Sequence, residues 1–152
     1  MPYVTADGWK NFKDEQTTIA AALRAHNRAA ASERTSRGGA PYSAEQAARD
    51  EEEQRLRHRL HRVEQILGSC SICPLPTQCD EIRLGHIVDA EDVETGRSFA
   101  FQIVGMDEGD TPASPPKYSY LASFARAFLG KGVDDEITAQ GKPYRVTGIR
   151  LP

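Results

Sequence analysis

The stretch LRHRLHRVEQILGSCSIC, Leu56–Cys73, contains the point where the chain changes its periodicity. Leu56, Leu60, Val63 and Leu67 repeat at spacings of 4, 3 and 4, a heptad-like seam on one side of a helix. Gly68 is a fitting stop for that helix, because glycine tolerates the left-handed backbone at a helix end. After Gly68 the apolar residues fall into short runs of period 2. A helical arm, residues 1–68, is therefore expected to precede a β-rich part, residues 69–152.

Upstream, the helix of Leu56–Leu67 begins at Ser43. Ser43 and Gln46 have capping-box spacing, in which each side chain satisfies a backbone N–H of the other. Before it, Ser36–Pro41 reads Ser-Arg-Gly-Gly-Ala-Pro, a helix breaker. Residues 6–32 form an earlier helix whose start Thr5 or Asp7 can cap. Its seam is Phe12, Ile19, Leu23 and Ala30, interrupted by His26, which reads as a tolerated, partly exposed histidine. Two helices joined by a short Gly/Pro loop pack antiparallel. Away from the loop the seam is Phe, Ile, Leu and Val. Near the loop it is mostly Ala, with Arg49 and Glu52 intruding, which predicts a thin, poorly buried finger.

Downstream, strands are expected at Cys70–Cys73, His86–Asp89, Ser98–Val104, Glu136–Ala139 and Tyr144–Arg150, with turns at Gly96 and Gly141. Tyr120–Leu129 places Leu121, Phe124, Ala125 and Phe128 on one helical face, and Asp110–Pro116 reads as a loop. The fold class is α+β: an antiparallel helical hairpin, or coiled coil, followed by an antiparallel sheet with one short helix.

Composition narrows the function. Hydrophobic residues are 39% of the 152, below the usual ~45–50%, as a thin finger requires. The net charge of −3 argues against general duplex-DNA binding through phosphate contacts. Residues 1–67 carry 11 basic and 10 acidic side chains, and residues 68–152 carry 8 and 12. No apolar run is long enough for a membrane span, and the N-terminus lacks the basic-then-apolar order of a secretory signal. Three cysteines do not make a disulfide framework, so a reducing cytoplasm is expected. Cys70, Cys73, Cys79 and His86 together offer a zinc donor set. Against that, Cys70 and Cys73 would point to opposite faces of a strand. Buried free thiols are the preferred reading, and no cofactor is expected. No nucleophile–base pair and no phosphate-binding glycine loop appears, so the chain does not read as an enzyme.

Several strings, in order, resemble the Gre transcript-cleavage factors of bacterial RNA polymerase. They are FQIVGMDEGD (Phe101–Asp110), FARAFLGKGVDDEI (Phe124–Ile137), GKPYRVTGI (Gly141–Ile149), the opening TADGWKNFKDE and, more loosely, AEQAARDEEEQ. The resemblance implies that the C-terminal sheet is FKBP-like and docks on the rim of the polymerase secondary channel. It implies that the hairpin enters the channel, and that the factor acts as a monomer on a polymerase that performs the chemistry. Isomerase activity, which an FKBP-like fold invites, would need an aromatic-lined pocket and is not carried by fold alone.

In active members an Asp-x-x-Glu at the hairpin tip helps hold a second Mg²⁺. Carboxylates are hard ligands suited to that ion, and a two-metal site stabilises both attacking and leaving oxygens. Here the tip, with Pro41, Tyr42, Ser43, Ala44 and Glu45, has no such pair. Glu45 is the sole carboxylate between Arg34 and Asp50. Efficient cleavage stimulation is therefore not expected, and an inhibitor or competitor of cleavage factors is. An active factor with an atypical tip and an unrelated interaction module are the alternatives. Arg55, Arg59 and Arg62 lie on one side of the second helix and form a basic patch that the resemblance directs toward nascent RNA. Where the family offers an Asp or Asn and then Ser-Pro before its short helix, this chain has Leu121-Ala122-Ser123. Tyr118 and Tyr120 are the candidate replacement anchors, beside Leu121 and Ser123.

Overall fold

The computed structural model describes residues 1–37 and 43–152. The chain divides into two compact units, Lys10–Ser69 and a second made of Met1–Trp9 with Cys70–Pro152. The first nine residues thus group with the sheet.

The helical unit contains most of α1 (Ala6–Arg37) and α2 (Ala44–Ser69). Thr5 caps α1, its Oγ1 accepting from the Gly8 N–H at 2.9 Å. At the start of α2 the capping box forms in both directions. The Ser43 N–H donates to Gln46 Oε1 at 2.8 Å, and the Gln46 N–H donates to Ser43 Oγ at 3.3 Å. Polar side-chain contacts cross between the helices at Glu15–Arg59, His26–Glu52 and Glu33–Arg49. As the first number rises the second falls, so the helices run antiparallel. Phe12, Ile19, Leu23, Val63 and Ile66 are buried, whereas Leu56, Leu60, Leu67 and Ala30 are half-buried. The seam thus turns through Ile66, which the heptad reading left out. α1 runs on past residue 32, because nothing before Gly38 opposes a helix.

The other unit is built on a five-stranded sheet of order β5-β4-β3-β7-β6. Its strands are β3 (Ile87–Asp92), β4 (Ser98–Val104), β5 (Lys117–Ser119), β6 (Glu136–Ala139) and β7 (Lys142–Arg150). Four of them are antiparallel neighbours, and β5 adds a parallel edge along Gln102–Val104. The sheet is therefore mixed rather than wholly antiparallel. β5 escaped the sequence reading because three half-buried residues after a proline-rich loop show no alternation. β6 and β7 turn through Gln140 and Gly141, both at positive φ (50° and 77°), as a tight hairpin requires. A register shift between Asp89 and Ala90 bends β3 against β7.

A separate two-stranded parallel sheet pairs β1 (Tyr3–Thr5) with β2 (Ser71–Cys73). α3 spans Ser123–Phe128, three residues shorter at its start than the apolar spacing predicts. Tyr120 is instead tied to the strand end, its N–H donating to the Val104 carbonyl at 2.8 Å, and Ala122 is extended. The core holds Ile82, Val88, Phe101, Ile103, Phe128 and Val146. Around Phe101 the rings of Phe99, Tyr118, Phe124 and Phe128 lie at centroid distances of 5.0–6.0 Å. These rings fill one another's space, which gives the unit its rigidity.

Candidate functional site

Of the predicted tip residues, Pro41 and Tyr42 lie outside the described residues. Ser43 is the N-cap of α2, and Ala44 and Glu45 occupy its exposed first turn. An acid there is favoured by the helix dipole. Behind it, the charges that intrude on the seam are mutually satisfied: Arg49 pairs with Glu33, and Glu52 lies 3.7 Å from the His26 ring. Beside Glu45, the acidic run of 50–53 is the nearest supply of carboxylates, and Glu53 is held by Arg57 at 2.7 Å.

Arg55, Arg59 and Arg62 are all exposed on α2. Arg59 is gripped at both guanidinium ends by Glu15, at 2.5 and 2.9 Å, so part of its charge is spent inside the hairpin. Arg55 has no ion-pair partner among the described residues and is the more available cation.

The four candidate docking residues fall into two classes. Tyr118 belongs to the ring cluster, 5.8 Å from Phe101 and 5.3 Å from Phe124. The Tyr120 hydroxyl accepts from the Tyr3 N–H at 3.1 Å. Leu121, 51% exposed, and Ser123 present themselves to solvent.

The cysteines are half-exposed rather than buried, which corrects that expectation. β2 is short and lies outside the main sheet, so its flanks are not covered. Cys73 Sγ donates weakly to the Pro74 carbonyl at 3.7 Å. His86 is fully buried, and both ring nitrogens are taken by backbone groups, Nδ1 by the Arg83 N–H and Nε2 by the Gln78 carbonyl, each at 3.0 Å. Among the described residues no cluster of three or more His, Cys, Asp or Glu is arranged to hold a metal. Burial, with the nearby Arg83 charge, lowers the His86 pKa against the opposing effect of the Gln78 bond.

Sequence reasoning missed Glu108. Its carboxylate accepts from the Thr5 N–H at 2.8 Å and from the Thr5 hydroxyl, so it fastens β1 and the cap of α1 to the turn after β4. A Cβ on Gly105 would lie 2.5 Å from Val4 Cα, and a Cβ on Gly8 would collide with the Glu108 carboxylate. Both glycines thus make room for one junction. The signal was present in the string Val-Gly-Met-Asp-Glu, but a sequence does not show which segment an acid will meet.

Residues 77–149 match the family model described as Transcription elongation factor, GreA/GreB, C-term. The transcription elongation factor GreA of Thioalkalivibrio sulfidiphilus is 28% identical over 153 residues, covering 97% of this chain and 96% of that protein. The GreA of Pelagibacter ubique is 27% identical over 134 residues, covering 87% and 84%. Among solved structures, the GreA factor homolog 1 (Gfh1) protein of Thermus thermophilus is similar over 98% of both chains, at 21% identity and a TM-score of 0.44. No helix among the described residues is long and apolar enough to cross a membrane.

Proposed function

We propose that this chain, whose residues 77–149 match the GreA/GreB C-terminal family model and which is similar to GreA along most of its length, binds bacterial RNA polymerase and inserts its helical hairpin into the secondary channel without efficiently stimulating transcript cleavage. The carrying observation is the carboxylate count at the tip. Glu45, exposed in the first turn of α2, is the sole acid between Arg34 and Asp50. A single carboxylate does not make the paired-carboxylate grip expected to hold a second Mg²⁺ in a two-metal displacement. Arg34 and Arg37 flank the loop and oppose a cation there.

On this reading the sheet unit supplies the docking face through Leu121 and Ser123, and the rings of Tyr118 and Tyr120 stiffen that face from behind. Arg55 leads the basic stripe toward nascent RNA. The factor contributes no catalytic group of its own, and competes with cleavage-active relatives for one entrance.

A stalled elongation complex with Mg²⁺ tests this. The chain alone leaves the transcript at full length, and added to a complex already treated with an active GreA it slows shortening as its concentration rises. Rapid shortening by the chain alone, at the rate of an active Gre factor, overturns the reading in favour of an active factor with an atypical tip. Failure to bind purified polymerase at all removes the partner and leaves an unrelated interaction module.

A further inference from the structure

Between β2 and β3 the chain crosses residues 74–86 with no regular secondary structure. This strap is pinned at two points. Ile82 drives its side chain into the core and exchanges backbone bonds with the turn after α3: its N–H donates to the Lys131 carbonyl, and its carbonyl accepts from the Gly130 N–H, both at 2.8 Å. The second pin is the His86 ring. A backbone N–H can only donate and a carbonyl can only accept. The partners therefore dictate the tautomer: Nδ1 bears the lone pair that receives Arg83 N–H, and Nε2 bears the hydrogen given to Gln78. One neutral ring ties two points of the strap, five residues apart, to the root of β3.

We propose that His86 is a proton-operated latch on this strap. Uptake of one proton places a hydrogen on Nδ1, which then confronts the Arg83 N–H, donor against donor, in a site closed to solvent. The new positive charge also faces the Arg83 guanidinium, the charged group that bears on this ring. From β4 the neighbouring contribution is the uncharged Gln102 amide, which donates to the Gly85 carbonyl at 3.3 Å. Among the described residues no carboxylate is hydrogen-bonded to the ring to offset the charge. The Arg83 bond must break, and the strap parts at Arg83–Leu84, up to Gly85, whose N–H stays on the Ile103 carbonyl of β4 at 2.7 Å. Gly85, at φ 101°, is the hinge position. A cavity of about 290 Å³ already lies on the strap, lined by Cys73, Leu75, Gln78, Arg83 and Leu84, so the segment has room to shift. Opening also loosens Ile82 from the turn that ends α3.

Solution NMR of the whole chain across pH 8 to 5 is the test, with the His86 ring nitrogens and the Arg83 amide followed together. The expected midpoint for His86 lies below 6.5. The Arg83 amide shift should follow that same midpoint, and the protection of that amide against exchange, corrected for intrinsic rates, should fall about tenfold or more. Gln in place of His86 (His86→Gln) removes the pH response of the strap. An Arg83 amide that stays protected while His86 titrates overturns the latch, as does a pH response that survives in H86Q. The wild-type titration decides the matter even if H86Q does not fold.

Discussion

The helical unit and the sheet unit are held by different physics. In the helical unit the buried residues among those described are Phe12, Ile19, Leu23, Val63 and Ile66, none nearer the loop than the middle of α1. Toward the loop, cohesion passes to ion pairs, capping bonds and small residues. In the sheet unit a continuous core of aliphatic and aromatic side chains runs from Ile82 to Val146. The proposed function uses both: a thin charged finger could be threaded through a narrow polar passage because little apolar surface depends on its staying wrapped, and a proposed docking face would gain from rings that lock one another. The same contrast ranks the effects of substitution.

The largest loss is expected at Phe101, 1% exposed and in contact with four rings. Phe101→Ala should cost about 3–5 kcal/mol in urea unfolding. A cost near zero would mean that the ring cluster does not hold this unit. Glu108→Ala comes next. It leaves the Thr5 N–H without its acceptor, at about 1–3 kcal/mol. Hydrogen exchange should rise at residues 3–8 while the β3–β7 ladder keeps its protection. Equal loss in both places would make Glu108 a general core residue rather than a fastener.

Acid should weaken the sheet unit through His86. Its folded pKa lies below the unfolded 6.5, so the unfolded chain binds the extra proton first. Stability is untouched above 6.5 and declines as pH falls from there to the folded pKa, below which the loss is complete. The wild-type urea midpoint should therefore fall with pH only on the acid side of 6.5, and the H86Q midpoint should lack that His86-linked fall.

The hairpin effects are smaller. Ser43→Ala removes the N-cap and should cost about 0.5–2 kcal/mol, read as lost exchange protection over residues 44–50. Arg59→Gln breaks a surface pair with Glu15 and should cost at most ~1 kcal/mol, vanishing in about 1 M salt. A salt-independent cost larger than that of Ser43→Ala would show that the finger is held otherwise than by charge.

Much of the hairpin was legible because its determinants are local. A helix is stated by apolar residues three and four apart, its start by Ser43 with Gln46, and its end near Gly68. The four antiparallel strands were legible for the same reason, since alternation such as Glu136-Ile137-Thr138-Ala139 is a property of neighbours. The paucity of carboxylates at the tip needed only counting. The tertiary structure alone decided the rest. β1 and β5 are strands because distant segments supply their hydrogen bonds, and α3 begins late because Tyr120 is bonded to Val104. Glu108 acquires its partner across more than a hundred residues, and His86 becomes a buried bracket because the strap folds back on it. Periodicity states which face a residue takes, whereas the group that face meets is set only when the chain closes on itself.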